Sequence, residues 1–306
     1  MRDALRDERP TVIPSGGYEA LPYSRRCQEI WRRGEHLLIG VSSGNSYFSA
    51  RRITELVGWG RQFFERIDIV YADLLVGTQF ETFGYAPDQA ERRARKEVKA
   101  TARRIERGVE EAGRRIERGV EEAGRRGDAR DVRDVRDVRV HALSSFTGDR
   151  TYQRLHQRAV DALRTDPEFR AAAEGMARGF LTARLDEGLA PSEPQLAAGL
   201  RYIVAELPFF LDTPALLGVP SSVSCYHLEL PLTPVLFGRD VGLRAGAGQG
   251  YAVIRPAATS AAVEAVGAVG AVGAVGAVGA VGAGKAVEAV EAVEAAVSAP
   301  MAGRAA

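Results

Sequence analysis

The chain has little of what marks several large classes of protein. Only two of its 306 residues are cysteine, Cys27 and Cys225, and there is no CxxC pair and no histidine–cysteine cluster. Neither a disulfide framework nor a metal site is therefore expected. Long apolar runs are missing as well: no stretch has 18 consecutive strongly apolar residues, and Met1–Pro14 carries Arg and Asp where a secretory signal needs an apolar core. That pattern predicts a soluble, unexported, cytoplasmic protein with no membrane partner. A dominant charge is absent too. Lys+Arg 41 against Asp+Glu 40 gives a net charge of +1, which excludes a wholly basic nucleic-acid binder and leaves only local patches to inspect.

What is present is 45% hydrophobic and 26% charged residues over a length that suits one core-forming domain with additional segments. Residues 1–30 mix charges, prolines and glycines without period and are expected to be a mobile leader. The apolar run Leu37-Leu38-Ile39-Gly40-Val41 then ends in Ser42-Ser43-Gly44-Asn45, and apolar residues from Phe48 to Phe64 follow at helical spacing. This reads as strand, turn and helix. Ile67–Ala72 is a second strand, Pro87 opens a long charged helix, and Val138–Leu143 is a third strand. Two helical stretches span 149–185. Ser192 with Gln195 three residues on then opens another helix, and Val223–Glu229 and Tyr251–Arg255 are the remaining strands. Strands alternating with helices predict an α/β fold, a single Rossmann-like domain over 31–258 with a mainly parallel sheet covered on both faces.

Three repeats interrupt this order: Arg103–Gly113 recurs as Arg114–Gly124, Arg-Asp-Val recurs over Arg130–Val138, and Ala-Val-Gly recurs within a low-complexity tail, 259–306. None has the period of a solenoid unit. Eleven residues make almost three helical turns, so the copy keeps Ile116 and Val120 on the face of Ile105 and Val109. The duplication lengthens the helix by about 16 Å without rotating it. Pairs Glu110–Arg114 and Glu111–Arg115 should support the extension, and its interior glycines should weaken it.

Gly40-Val41-Ser42-Ser43-Gly44 fits G-x-S-x-G, in which a sharp turn after a strand presents a serine nucleophile at a helix start. There, backbone N–H groups, Asn45 included, would face an oxyanion. The same residues equally suit an ordinary turn with an N-cap. A hydrolase triad would need a later acid and histidine, yet His36 precedes the serine, His141 and His156 are poorly placed, and His227 falls within an expected strand. Tyr202 and Glu206 are one helical turn apart and share a face. Pro208 should end that helix, putting Glu206 at the negative end of the dipole, where its pKa would rise toward the range of a general base. A solvated surface pair has the same spacing. Arg92, Lys96, Lys99, Arg103 and Arg107 follow at gaps of four, three, four and four, a cationic stripe that can track a phosphate backbone or be a plain solvated face.

Gly34–Ser49, Gly199–Phe210, Val219–His227 and Gly248–Pro256, in this order, resemble the cyclodipeptide synthase family over about 31–258, in the subfamily with Asn and Tyr at the positions of Asn45 and Tyr226. The resemblance implies the fold of class I tyrosyl- and tryptophanyl-tRNA synthetase catalytic domains, without their HIGH and KMSKS signatures. It implies two aminoacyl-tRNAs as substrates, an aminoacyl ester on Ser42, and no metal or cofactor. Tyr202 and Glu206 would hold and deprotonate the amino group, Tyr226 would relay a proton, and Gly40, Asn45 and His227 would shape the site. Leu38, Val70, Ala72, Leu143, Phe209 and Ser224 would line a mostly apolar pocket for a hydrophobic amino acid. Arg103, Arg104 and Arg107 match tRNA-contacting positions, whereas Glu106 stands where the family has a base. A downstream enzyme that tailors the cyclic dipeptide is an expected partner. A serine hydrolase and a noncatalytic tRNA-binding protein are the alternatives.

Overall fold

The computed structural model describes residues 13–15, 17–125, 138–185 and 189–257. The first twelve residues, the Arg-Asp-Val repeat up to residue 137 and the Ala/Val/Gly tail lie outside the described residues. The elements are β1 (Ile13–Ser15), β2 (Tyr18–Pro22), α1 (Arg25–Arg33), β3 (His36–Val41), α2 (Ala50–Gly60), β4 (Arg66–Tyr71), α3 (Val76–Thr82) and α4 (Pro87–Arg125). After these come β5 (Val138–Ala142), α5 (Arg150–Thr165), α6 (Pro167–Thr182), α7 (Glu193–Leu217), β6 (Ser222–Tyr226), α8 (Thr233–Phe237) and β7 (Gln249–Pro256).

The strands form one sheet in the order β1-β2-β7-β6-β3-β4-β5. The five from β7 to β5 are parallel, and β2 adds antiparallel to β7 and β1 to β2. The mainly parallel sheet agrees with the expected α/β class. The leader expected over residues 1–30 is overturned from residue 13 onward, where β1, β2 and α1 are built from residues within 13–33. Tyr18 and Ala20 alternate inward from β2 and are buried, and the Tyr18 hydroxyl donates to Glu55 at 2.9 Å. Five residues containing a proline are too short a run for that alternation to stand out in the sequence.

Near-continuous apolar strands are what a sheet covered on both faces requires. Leu37, Ile39, Ile67 and Ile69 pack with Ile53, Val57 and Ile105 on one face, while Leu38 and Val70 point to the other, toward Tyr152 and Phe209. On that second face α5, α6, α7 and α8 share a larger cluster with Tyr251 and Val253.

Two helices depart from expectation. α7 runs through Pro208 to Leu217 and kinks at Asp212, where φ is −161° and ψ 67°. Losing one backbone bond at Pro208 is outweighed by burial of Leu207, Phe209 and Leu211 around it. In α4, Arg114 and Arg115 both donate to Glu111, at 3.1 and 3.0 Å, so Arg114 takes Glu111 instead of the expected Glu110. Gly108 is a contact and no simple weakness: a Cβ there would lie 2.7 Å from Ile53, where α4 crosses α2.

A polar relay, buried at Ser222, His36 and Asp68, runs across strands β6, β3, β4 and β5. His36 bridges Ser222 Oγ at 2.7 Å and Asp68 Oδ2 at 2.9 Å, and Asp68 also meets His141 at 2.6 Å and Arg66 Nε at 2.6 Å. Burial alone would raise the Asp68 pKa, but the bonds from His141, His36 and Arg66 outweigh it and hold the carboxyl well below its usual range.

Candidate active site

From β3 the chain winds outward through β4 to β5, then returns to lay β6 on the other edge of β3. This reversal opens a crevice at the carboxyl ends of β3 and β6, where ligands bind in open α/β sheets. Ser42 directly follows β3, Ala72 follows β4, Leu143 follows β5, and Tyr226 ends β6.

The turn after β3 differs from the expected one. α2 starts only at Ala50 and is capped by Ser49, whose Oγ accepts from the Arg52 N–H at 3.2 Å. The Asn45 N–H, expected to face an oxyanion, instead donates to the Ser42 carbonyl at 3.3 Å. Asn45 works through its side chain. Its Oδ1 accepts from the Tyr47 N–H at 3.0 Å, closing the loop, and its Nδ2 donates to the Tyr226 hydroxyl at 2.9 Å. Gly44 adopts a φ of +75°, which a glycine accommodates readily, and its N–H donates to Glu97 Oε1 on α4 at 3.2 Å.

Around Ser42 the structure brings together Tyr202, Glu206 and Tyr226. Tyr202 lies beside both Glu206 and Ser42, and Tyr226, which accepts from Asn45 Nδ2, also lies beside Ser42. Burial pushes the Glu206 pKa up to about 7, opposed by the Tyr202 hydrogen bond. The expected rise is present, but with α7 continuing past Pro208 its cause is desolvation and not the end of a helix dipole. Burial and the nearby Glu206 raise Tyr202 well above the ordinary tyrosine range and Tyr226 to about 12. Both phenols are therefore protonated at neutral pH, beside a carboxyl poised to gain or lose a proton there.

A cavity of about 620 Å³ opens beside Ser42. Every residue expected in the apolar pocket, Leu38, Val70, Ala72, Leu143, Phe209 and Ser224, lines it together with Gly40, Ser42, Glu206 and Tyr226. The sequence reading missed Met176, Phe210 and Leu230, which also line it. Met176 lies on α6 and carries no motif, so only the packing of α6 on α7 reveals it. His227 does not line the cavity. It lies just past β6 and not within a strand, and its ring stacks on Tyr47 with centroids 4.0 Å apart. Burial, with Arg52 and Arg255 nearby, lowers its pKa to about 4, so it is neutral. No histidine among the described residues is recorded bonded to Ser42, so the triad of a hydrolase is not assembled there.

On α4 the side chains of Arg92, Lys96, Lys99, Arg103 and Arg107 are exposed along one stripe. Arg104 leaves that stripe. It turns inward, and its Nη2 donates to Thr101 Oγ1 at 2.8 Å and to Glu97 Oε1 at 3.3 Å. Among the described residues no group of histidines, cysteines and carboxylates is arranged to hold a metal ion, and no helix is long and apolar enough to cross a membrane.

A Rossmann-like α/β sheet thus presents at its switch point a serine, two protonated tyrosines and a carboxyl whose pKa is about 7. The cyclodipeptide synthase family model matches residues 18–256, and the chain belongs to that family. It is 35% identical over 252 residues to the cyclo(L-tyrosyl-L-tyrosyl) synthase of Mycobacterium tuberculosis, covering 82% of this chain and 81% of that one. To the cyclo(L-leucyl-L-phenylalanyl) synthase of Streptomyces noursei it is 38% identical over 231 residues, 76% of this chain and 89% of that one. A solved Mycobacterium tuberculosis structure, described as relating cyclodipeptide synthetases to type I tRNA synthetases, superposes with a TM-score of 0.68 at 36% identity. That likeness covers 82% of this chain and 98% of that one.

Proposed function

We propose that the chain condenses the aminoacyl groups of two aminoacyl-tRNAs into a cyclic dipeptide through an ester on Ser42. The Ser42 Oγ attacks the first aminoacyl ester, and the ribose oxygen leaves with a proton. The amine of the Ser42-bound aminoacyl group attacks the second aminoacyl ester, releasing the second tRNA and leaving a dipeptidyl ester. The terminal amine of that dipeptide then attacks the Ser42 ester, closing the six-membered ring and freeing the serine. Each step exchanges one acyl bond for another, so the scheme invokes neither redox nor metal chemistry.

The carrying observation is Glu206. A carboxyl with a pKa of about 7, beside Tyr202 and close to the nucleophile, is matched to removing a proton from an α-ammonium group, whose ordinary pKa is about 8. Tyr226, protonated and clamped by Asn45, suits a proton relay during ring closure. The apolar cavity supports a hydrophobic first amino acid, in keeping with the tyrosyl, leucyl and phenylalanyl products named for the relatives. The exposed stripe on α4 supports phosphate contacts that weaken with salt. Mass spectrometry of the medium of a bacterial host expressing the chain should detect cyclic dipeptides that vanish with Ser42→Ala. Absence of product from the wild-type chain, or its persistence in that variant, would sink the proposal.

A further inference from the structure

A second cavity of about 470 Å³ lies on the far side of the nucleophile turn, between that turn, α3 and the start of α4. Gly40, Val41 and Ser42 wall the apolar cavity, whereas the next two residues, Ser43 and Gly44, wall this one. The turn is thus a partition with a cavity on either side of the serine. An ester bound across such a partition puts its acyl group in one chamber and its alcohol in the other, with the carbonyl at the nucleophile.

The second chamber is chemically unlike the first. Its wall includes Gln79, Phe80, Phe83 and Glu97, with Arg184 at the rim. The Gln79 Nε2 is buried with no hydrogen-bond partner, a donor awaiting an acceptor. Phe80, braced edge-on by Tyr85 at 5.7 Å, and Phe83 offer aromatic faces. Glu97 is anchored through Oε1 alone by Gly44, Arg104 and Thr101. Its recorded bonds leave Oε2 free to accept from a hydroxyl.

We propose that this chamber receives the 3′-terminal nucleoside of the aminoacyl-tRNA: the base against Phe80 and Phe83 with an acceptor on Gln79, and the ribose against Glu97 and the turn. The assignment rests on the acyl-transfer reading of Ser42. It accounts for the orphan amide, for aromatic residues in a polar-rimmed hole, and for a chamber whose outer neighbour, α4, carries the cationic stripe on its opposite face. It also gives Arg104 a different task from the one the resemblance implied. Arg104 is a positioning residue that holds Glu97, and through it Gly44, instead of reaching outward to phosphate.

The test compares two aminoacyl donors, aminoacyl-adenosine and a cyanomethyl aminoacyl ester that lacks a nucleoside, by the rate at which each acylates Ser42 in intact-protein mass spectrometry. With the wild-type chain, the nucleoside donor should be faster. Phe83→Ala and Gln79→Ala should each slow the nucleoside donor by about tenfold while leaving the cyanomethyl ester unchanged, which also reports that the variants are folded. Gln79→Glu, which keeps the size but loses the donor, should behave as Gln79→Ala does. Variants that slow both donors equally, or that leave their ratio at the wild-type value, would overturn the assignment. No acylation from either donor would overturn the Ser42 reading itself and this one with it.

Discussion

Two serine-centred polar clusters occupy one sheet, and only one of them has the composition of a hydrolase triad. Ser222, His36 and Asp68 are hydrogen-bonded in series, yet Ser222 and Asp68 are 0% exposed and His36 1%, so no substrate reaches them. Ser42 has no histidine, but it opens onto a cavity and lies beside two tyrosines, one of them next to a carboxyl. Residue type alone would point to Ser222, which is shut off from solvent. Access and the electrostatics of neighbouring groups distinguish a reactive cluster from a structural one.

The comparison breaks first at the cavity. Glu206→Gln should lower the rate of cyclic dipeptide formation by about 10²-fold, as expected for removing a general base. Wild-type activity should rise with pH through about 7 as Glu206 deprotonates, and the variant should lose that limb. In the relay the effect is on stability. Asp68→Ala leaves the buried His36, the half-buried His141 and Arg66 without their shared acceptor and should cost about 3–5 kcal/mol in urea unfolding. Protein that still folds should retain Ser42 acylation.

The two clusters also respond to pH with opposite sign. Asp68 is held low, so below a pH of about 4 the unfolded chain binds a proton that the native chain refuses, and stability falls with acidification. Burial, only partly offset by Asp68, lowers the His36 pKa, which extends the same trend upward toward about 6.5. Glu206 is raised from 4.5 to about 7, so the native chain holds the extra proton in that window and stability falls as pH increases. Glu206→Gln should therefore stabilise the fold by about 1–3 kcal/mol at pH 8 and by little at pH 5. Equal stability changes at both pH values would remove the claim that the site costs stability through its buried carboxylate. Least disruptive should be deletion of Arg114–Gly124. Removing one 11-residue copy preserves the helical face, so unfolding free energy should change by within about 0.5 kcal/mol.

Much of the site was legible because it is local. G-x-S-x-G after an apolar run marks a strand-to-turn junction, and Tyr202 with Glu206 four residues on must share a helix face wherever the helix lies. The start of α4 at Pro87 and the cationic stripe follow from the same short-range periodicity. Where expectations failed, the deciding term was burial contributed by distant elements. α7 runs past Pro208 because its surroundings cover the residues on both sides, and residues 18–22 become a strand because β7 and β1 pair with them from either side.

Spacing along the chain thus determined the turn, the helix faces and the family pattern, since each depends only on neighbours within a few residues. Tertiary structure alone decided that Tyr226 meets Asn45 across 181 positions, that desolvation sets the proton affinity of Glu206, and that Arg104 points inward to Glu97. It also decided which serine is buried and which opens onto a cavity. The physical reason is that dielectric surroundings and access belong to the packed assembly of elements, and no single segment encodes them.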